Sequence, residues 1–321
     1  VTDRSLLLLL FSYPVCCALL RVVDEKVKGE KNKKERHNFN MAGSKRSYVL
    51  SFNPVVEADR YRICAGRTLN EGDVALMKRA RATILPQGCS SELYWTAVRY
   101  CPNVFPDYRC RFLYPGKTGQ IRMFRDFGIP HPRTILFSNV DSFGYHALDS
   151  LPYPVVLKAS HGGEGENVFF VPDQKTLNDV LDSIRDMEMA GFYGFLVQDY
   201  VPNDGKDLRV VIMGKKLYAY WRVSKEGEFL HNVSKGATCD LTSDGKRMLA
   251  GISLADTFKK LTGINLAGID VIFHENDLEG KKPLLLEVNY FFGRKGLGGN
   301  EIYYRLLNET VQEWLLSLPS N

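Results

Sequence analysis

GIDVIFHENDLEGKKPLLLEVN, Gly268–Asn289, is the stretch on which the reading of this chain turns. Two apolar runs, GIDVIFH (Gly268–His274) and PLLLEVN (Pro283–Asn289), flank a hydrophilic turn. That is the pattern of two buried strands joined by a loop. Side chains two apart on a strand share a face, so Glu287 and Asn289 point the same way, and Asp270 can join them from the neighbouring strand. Buried acids are costly unless paired or metal-bound. Two carboxylates and an amide oxygen make an all-oxygen set suited to magnesium, with manganese as the alternative ion and phosphate oxygens completing the shell. The opposing reading is a solvent-facing strand edge, which the apolar flanks disfavour.

Upstream lies DLRVVIMGKKLYAYWRV (Asp207–Val223), a hairpin with Gly-Lys-Lys as its turn. Arg209 near its start and Arg222 at its end are permanent cations able to grip phosphate or carboxylate in a fork. Lys235, in HNVSKG, is a third cation of this group. Before the hairpin, GFLVQDYV (Gly194–Val201) reads as a strand. Its end, Gln198-Asp199-Tyr200-Val201, can offer backbone groups and apolar cover to a flat base. Further upstream, PVVLKAS (Pro154–Ser160) and VFFV (Val168–Val171) are strands around the loop HGGEGEN (His161–Asn167). Gly162, Gly163 and Gly165 let backbone amides approach an anion, and Lys158 beside them can neutralise phosphate oxygens. No Gly-Lys-Ser/Thr follows and the loop leads into a strand, so this is not a Walker loop.

Around these clusters, KTGQIRMFRDFGIPHPRT (Lys117–Thr134) reads as a helix closed by Gly128, with Ile121, Phe124 and Phe127 along one face. Helices are also expected over Thr176–Met189, Ser253–Leu261 and Ile302–Leu316. From Ser47 to Pro115 the pattern alternates: SYVLSFN a strand, EGDVALMKRARATILP a helix running into a strand, and SSELYWTAVRYC a helix capped by Ser90 or Ser91. No internal repeat appears.

The bulk numbers bound the answer. A chain of 321 residues fits two or three compact units, and 45% apolar with 25% charged residues is an ordinary globular composition. A net charge of +5 calls for no nucleic-acid partner. Seven cysteines without a Cys-x-x-Cys pair point to a reducing compartment, the cytoplasm. Residues 1–40 hold the apolar run Leu6–Leu20, too short to span a bilayer comfortably, and the charged tract Asp24–Arg36. They read as a disordered or non-native extension ahead of Met41, with an export signal as the other reading. No membrane association is expected.

In order along the chain, these clusters resemble the ATP-grasp superfamily, and within it the RimK-type (ribosomal-protein glutamate ligase) and glutathione synthetase-like carboxylate–amine ligases. The resemblance rests on six motifs over roughly two thirds of the chain. They are Lys117 with Gly128-Ile129-Pro130; Lys158 with HGGEGEN; Gln198-Asp199-Tyr200-Val201; Asp207-Leu208-Arg209; Lys225 to Asn232; and Gly268-Ile269-Asp270 with Glu287-Val288-Asn289. It implies an α+β ATP-grasp fold, two lobes holding ATP over residues 116–200 and 201–321, behind a small α/β domain over 41–115 that helps hold substrate. It implies that Lys117, Lys158 and the glycine loop contact phosphates, that residues 198–201 hold adenine, that Asp207 lies near the ribose and that Asn232 belongs to the nucleotide site. It implies that Asp270, Glu287 and Asn289 bind magnesium, while Arg209 and Arg222 stabilise the transferring phosphoryl group. The implied substrates are a small carboxylate and an amine. Relatives of this kind are often dimers or tetramers, so a homo-oligomer is left open.

The sequence departs from the pattern in places. Asp199 stands where Glu is usual, Leu230 or His231 where an Arg is expected, and Phe292 where the last motif has proline. Arg294 and Lys295 follow Phe292 and suggest a very anionic partner or extra phosphate contacts. Two other functions fit: an ATP-grasp kinase for a small hydroxylated substrate, and a catalytically silent ATP-binding scaffold. The scaffold predicts gaps among Lys158, Asp270, Glu287 and Asn289, and none is missing.

Overall fold

The computed structural model describes residues 48–64, 67–144, 151–162, 167–224 and 238–319, all within one compact unit, Lys45–Asn321. The expectations for residues 1–40, Met41, Gly163, Gly165, the stretch Lys225–Asn232 and Lys235 fall outside the described residues.

The alternation read between Ser47 and Pro115 becomes a parallel sheet. Its strands are β1 (Tyr48–Ser51), β2 (Arg60–Tyr61), β3 (Ala80–Ile84) and β4 (Val104–Phe105), in the order β2-β1-β3-β4. Helices α1 (Glu71–Arg79) and α2 (Ser91–Tyr100) make the crossovers, and α3 (Arg109–Leu113) follows β4. Ser90 caps α2 as expected. The two-residue strands were too short to leave a period in the sequence.

Helix α1 begins with a capping box. Asn70 Oδ1 accepts from the Asp73 amide at 3.1 Å, and the Asp73 carboxylate accepts from the Asn70 amide at 3.0 Å. Arg67 forks onto the same carboxylate at 2.6 and 2.9 Å. Asp73→Ala is expected to lower stability by roughly 1–2 kcal/mol, the usual size of a lost cap. The Arg67 bond holds the Asp73 carboxyl below the ordinary carboxylate range. Its contribution is therefore complete above a pH of about 4 and fades as pH falls through the lower, folded-state value. Urea unfolding curves of the two chains should differ at neutral pH and converge in acid.

Helix α4 (Gly116–Asp126) leads into an antiparallel sheet of β5 (Thr134–Phe137), β6 (Val155–Ala159), β7 (Val168–Val171) and β8 (Phe195–Asp199), ordered β5-β8-β6-β7. Helix α4 stops before Gly128 at φ +64° and the prolines after it, as the sequence indicates, and Thr134 begins β5. Helix α5 (Gln174–Met189) covers this sheet through Leu177, Val180, Leu181 and Ile184.

The third sheet is antiparallel. It comprises β9 (Lys206–Met213), β10 (Lys216–Val223), β11 (Thr238–Asp240), β12 (Leu266–Ile272) and β13 (Leu284–Asn289), ordered β11-β10-β9-β12-β13. On one face, Leu208, Val210 and Ile212 pack with Phe258 of α6 (Gly245–Thr262) and Phe124 of α4. On the other, Val211 and Met213 pack with Tyr303, Leu307 and Val311 of α7 (Asn300–Leu316). Helix α6 starts well before Ser253, the start read from the sequence, because Asp244 caps it and its first turns are polar.

Candidate active site

Strand alternation puts Asp207 and Arg209 on one face of β9, and register carries that face across the sheet. Arg222 sits opposite Asp207, Asp270 opposite Arg209, and Glu287 opposite Asp270. Asp207, Arg209, Arg222 and Asp270 are all buried, and they satisfy one another. Arg222 holds Asp207 through Nε–Oδ1 at 2.7 Å and Nη2–Oδ2 at 2.5 Å, and reaches Asp270 Oδ2 at 2.9 Å. Arg209 forks onto Asp270, its Nη2 lying 3.0 Å from Oδ2. Asn289 Nδ2 donates to the same oxygen at 2.9 Å. Burial alone would raise the Asp270 carboxyl, but the two guanidiniums outweigh it and hold it below the ordinary range.

The structure thus brings Asp270, Glu287 and Asn289 together, as strand spacing required. It also engages Asp270 with two arginines, which spacing along one strand does not reveal. Asp207, expected near a ribose, turns its carboxylate to Arg222. Among the described residues, no group of three His, Cys, Asp or Glu is close enough to form a metal cluster. The candidate donor set is two acids and an amide.

Lys158, in the middle of its sheet on β6, and Lys117, at the start of α4, face these acids. Helix α4 docks on the end of β6 through Gly116. That residue has φ +69°, and a Cβ there would lie 2.6 Å from the Ser160 hydroxyl. The Lys117 amide donates to Ser160 O at 3.0 Å, and Thr118 and Ser160 share a hydroxyl bond of 2.8 Å. Lys117 Nζ donates to the Gly162 carbonyl at 2.9 Å. Burial pushes Lys158 down to about 8, against the opposing pull of Glu287. The half-buried Glu287 carboxyl is raised, by burial first and then by Asp270, while Lys158 and Lys117 draw it back.

One pocket is lined by both lysines, Glu287, Gln198, Gln120, Ile121, Leu196 and Leu286. Gln198 is fixed there by donating to Thr134 Oγ1 at 2.9 Å. Asp199 at the end of the strand is forked by Arg133, with Nε–Oδ2 at 3.0 Å. The Tyr200 ring packs on Phe170, 5.1 Å between centroids.

Gln120 was missed in the sequence. Its amide bonds both backbone groups of Val288, donating to the carbonyl at 2.9 Å and accepting from the N–H at 2.8 Å. It ties the helix of Lys117 to the strand of Glu287. The available signal was a polar residue four positions before Phe124, on a face expected to be buried. Arg294, read as a contact for an anionic partner, is engaged within the chain. It donates to Tyr304 Oη at 2.6 Å and lies over the Tyr303 ring at 4.4 Å.

Lys117 and Lys158 thus face Glu287 and the Asp270 network across one pocket. The model of the RimK-like ATP-grasp domain matches residues 117–303, more than half of the chain, and the chain belongs to that family. Among curated proteins, a probable alpha-L-glutamate ligase of Cellvibrio japonicus is 29% identical over 181 residues, 53% of either chain. N-acetylaspartylglutamate synthase A of Homo sapiens is 31% identical over 157 residues, 46% of this chain and 37% of that one. The chain therefore spans about half, or less, of the length of these relatives. Among solved structures, a RimK domain ATP-grasp protein of Sphaerobacter thermophilus superposes with a TM-score of 0.58 at 17% identity, covering 82% of this chain and 99% of that one. D-alanine–D-alanine ligase of Bacillus anthracis superposes with a TM-score of 0.56 at 16% identity, covering 80% and 87%. These likenesses carry the fold, which is the α+β ATP-grasp fold.

Proposed function

We propose that the chain joins a small carboxylate to the amine of an amino acid or peptide, using ATP and magnesium and passing through an acyl-phosphate. The observation that carries this reading is the pocket in which buried Lys117 and Lys158 face Glu287 beside the Asp270 network. Two cations there suit the triphosphate, and the neighbouring acids suit its counter-ion. The names of the similar ligases and synthases support the same class.

Glu287, Asp270 and Asn289 would hold the metal. The set fits a divalent cation, because the Glu287 carboxyl is raised by burial and by its acidic neighbour, and a positive ion there relieves both. The ion would neutralise phosphate charge. Lys117 and Lys158 would hold phosphate oxygens, and residues Gln198 to Val201 the base. Arg209 and Arg222, fixed by Asp270 and Asp207, supply a preorganised positive field for the transferring phosphoryl group. A substrate carboxylate oxygen attacks the γ-phosphorus and ADP leaves. The amine then attacks the acyl carbon, inorganic phosphate leaves, and the amine proton passes to solvent. Asp207 is assigned to holding Arg222.

No described helix is long and apolar enough to cross a membrane. The cysteines Cys64, Cys89 and Cys239, unpaired in disulfides, accord with a reducing cytoplasm. ADP release with Mg-ATP, amino acids and small carboxylates tests the activity. Release is expected only when a carboxylate and an amine are both present. Turnover with a hydroxylated compound alone would overturn the ligase reading in favour of a kinase.

A further inference from the structure

A second cluster of unused polar groups lies where the parallel sheet meets the segment after β13. Gln87 and Cys89 follow β3 and Tyr108 follows β4, so all three stand at the carboxyl ends of parallel strands, where open α/β sheets bind ligands. Tyr290, one residue beyond Asn289, comes down on them. Its ring meets that of Tyr108 edge-on at 5.5 Å, and its carbonyl accepts from Gln87 Nε2 at 3.4 Å. Arg111 donates to Gln87 O at 2.6 Å and stands 5.2 Å from the Tyr108 ring and 5.9 Å from the Tyr290 ring.

The hydroxyls of Tyr108, Tyr290 and Tyr303 are buried and have no hydrogen-bond partner among the described residues. Tyr108 is wholly buried. No carboxylate among the described residues pairs with Arg111. Buried hydroxyls without partners are rare in folded proteins, and two beside one arginine mark a place built to meet a polar ligand. The arginine fork selects a planar anion, and phenolic hydroxyls donate to the same oxygens.

We infer that Arg111, Tyr108 and Tyr290 form a subsite for the free carboxylate of the amine-bearing substrate, an amino acid or peptide. This rests on the ligase reading and deepens it. An acceptor amino acid carries a carboxylate that must not itself be phosphorylated, and the subsite holds that group on the side of Tyr290, one residue away from the metal-binding Asn289.

The test is calorimetric titration of L-glutamate, and of its α-amide, into the full chain saturated with Mg-ADP. The wild-type chain should bind L-glutamate and bind the amide at least about 10-fold more weakly, the loss expected for one charge-assisted contact. Arg111→Ala should weaken L-glutamate by a similar factor and abolish the preference over the amide, with Arg111→Lys intermediate. Tyr108→Phe, which removes only the hydroxyl, should weaken it without lowering the melting temperature. Unchanged L-glutamate affinity in Arg111→Ala and Tyr108→Phe, or no binding by the wild-type chain, would overturn the subsite. Failure of the ligase reading looks different: L-glutamate binds and depends on Arg111, yet no ADP is released with any carboxylate.

Discussion

Lys158→Ala is expected to reduce turnover by at least roughly 100-fold, the usual cost of removing one preorganised charge from a developing anion. The same substitution should leave the melting temperature unchanged or raise it, because a buried ammonium is costly to the free protein. Loss of activity with retained stability separates a functional lysine from a structural one. A second readout follows from the same burial. The amine is held down to about 8, so near and above that pH much of it is neutral in the free chain. A bound triphosphate favours the charged form and raises this value, so nucleotide binding should take up a proton there. Calorimetry in two buffers of different ionisation enthalpy counts that proton, and Lys158→Ala should abolish the uptake. Equal proton counts in both chains would contradict the assignment.

Asp270→Ala is expected to cost about 3–5 kcal/mol of stability, the range for breaking a buried ion pair by removing one partner. Arg209 and Arg222 both rest on this carboxylate, and both are buried. Urea unfolding without added metal isolates this effect from any loss of metal binding. A change under about 1 kcal/mol would mean that solvent reaches the arginines and that the network is a surface arrangement. Asp207→Ala should be milder, since Arg222 keeps Asp270.

Much of this arrangement was legible. Period-two spacing put Glu287 and Asn289 on one face, and the pairing of Asp270 with Glu287 followed from two adjacent apolar strands. Lys158 was marked by its apolar strand and glycine loop, and Gly128 with its prolines stopped α4. What stayed hidden was non-local. The Arg209–Asp270–Arg222–Asp207 chain depends on register between distant strands, Arg209 and Asp270 being 61 positions apart. Strands β10 and β9 must also align before Arg222 meets either acid. The Gln120 clamp needs α4 to lie against β13, 168 residues away in sequence. The contacts of Arg294 were hidden in the same way, since the start of α7 supplies Tyr303 and Tyr304 beside it. Local pattern finds elements and charged groups, and only tertiary pairing decides which charges remain open to a ligand.

The central claim is that the substrate carboxylate is activated by phosphorylation. The direct measurement is the fate of carboxylate oxygen. The carboxylate that supports ADP release would be labelled with heavy oxygen and turned over with Mg-ATP and the amine, and the inorganic phosphate analysed by mass. One labelled oxygen in each phosphate released is the expected result, because an acyl-phosphate hands its bridging oxygen to the leaving phosphate. Unlabelled phosphate accompanying product would contradict the acyl-phosphate and, with it, the role of Lys117, Lys158 and the Asp270 network in activating a carboxylate.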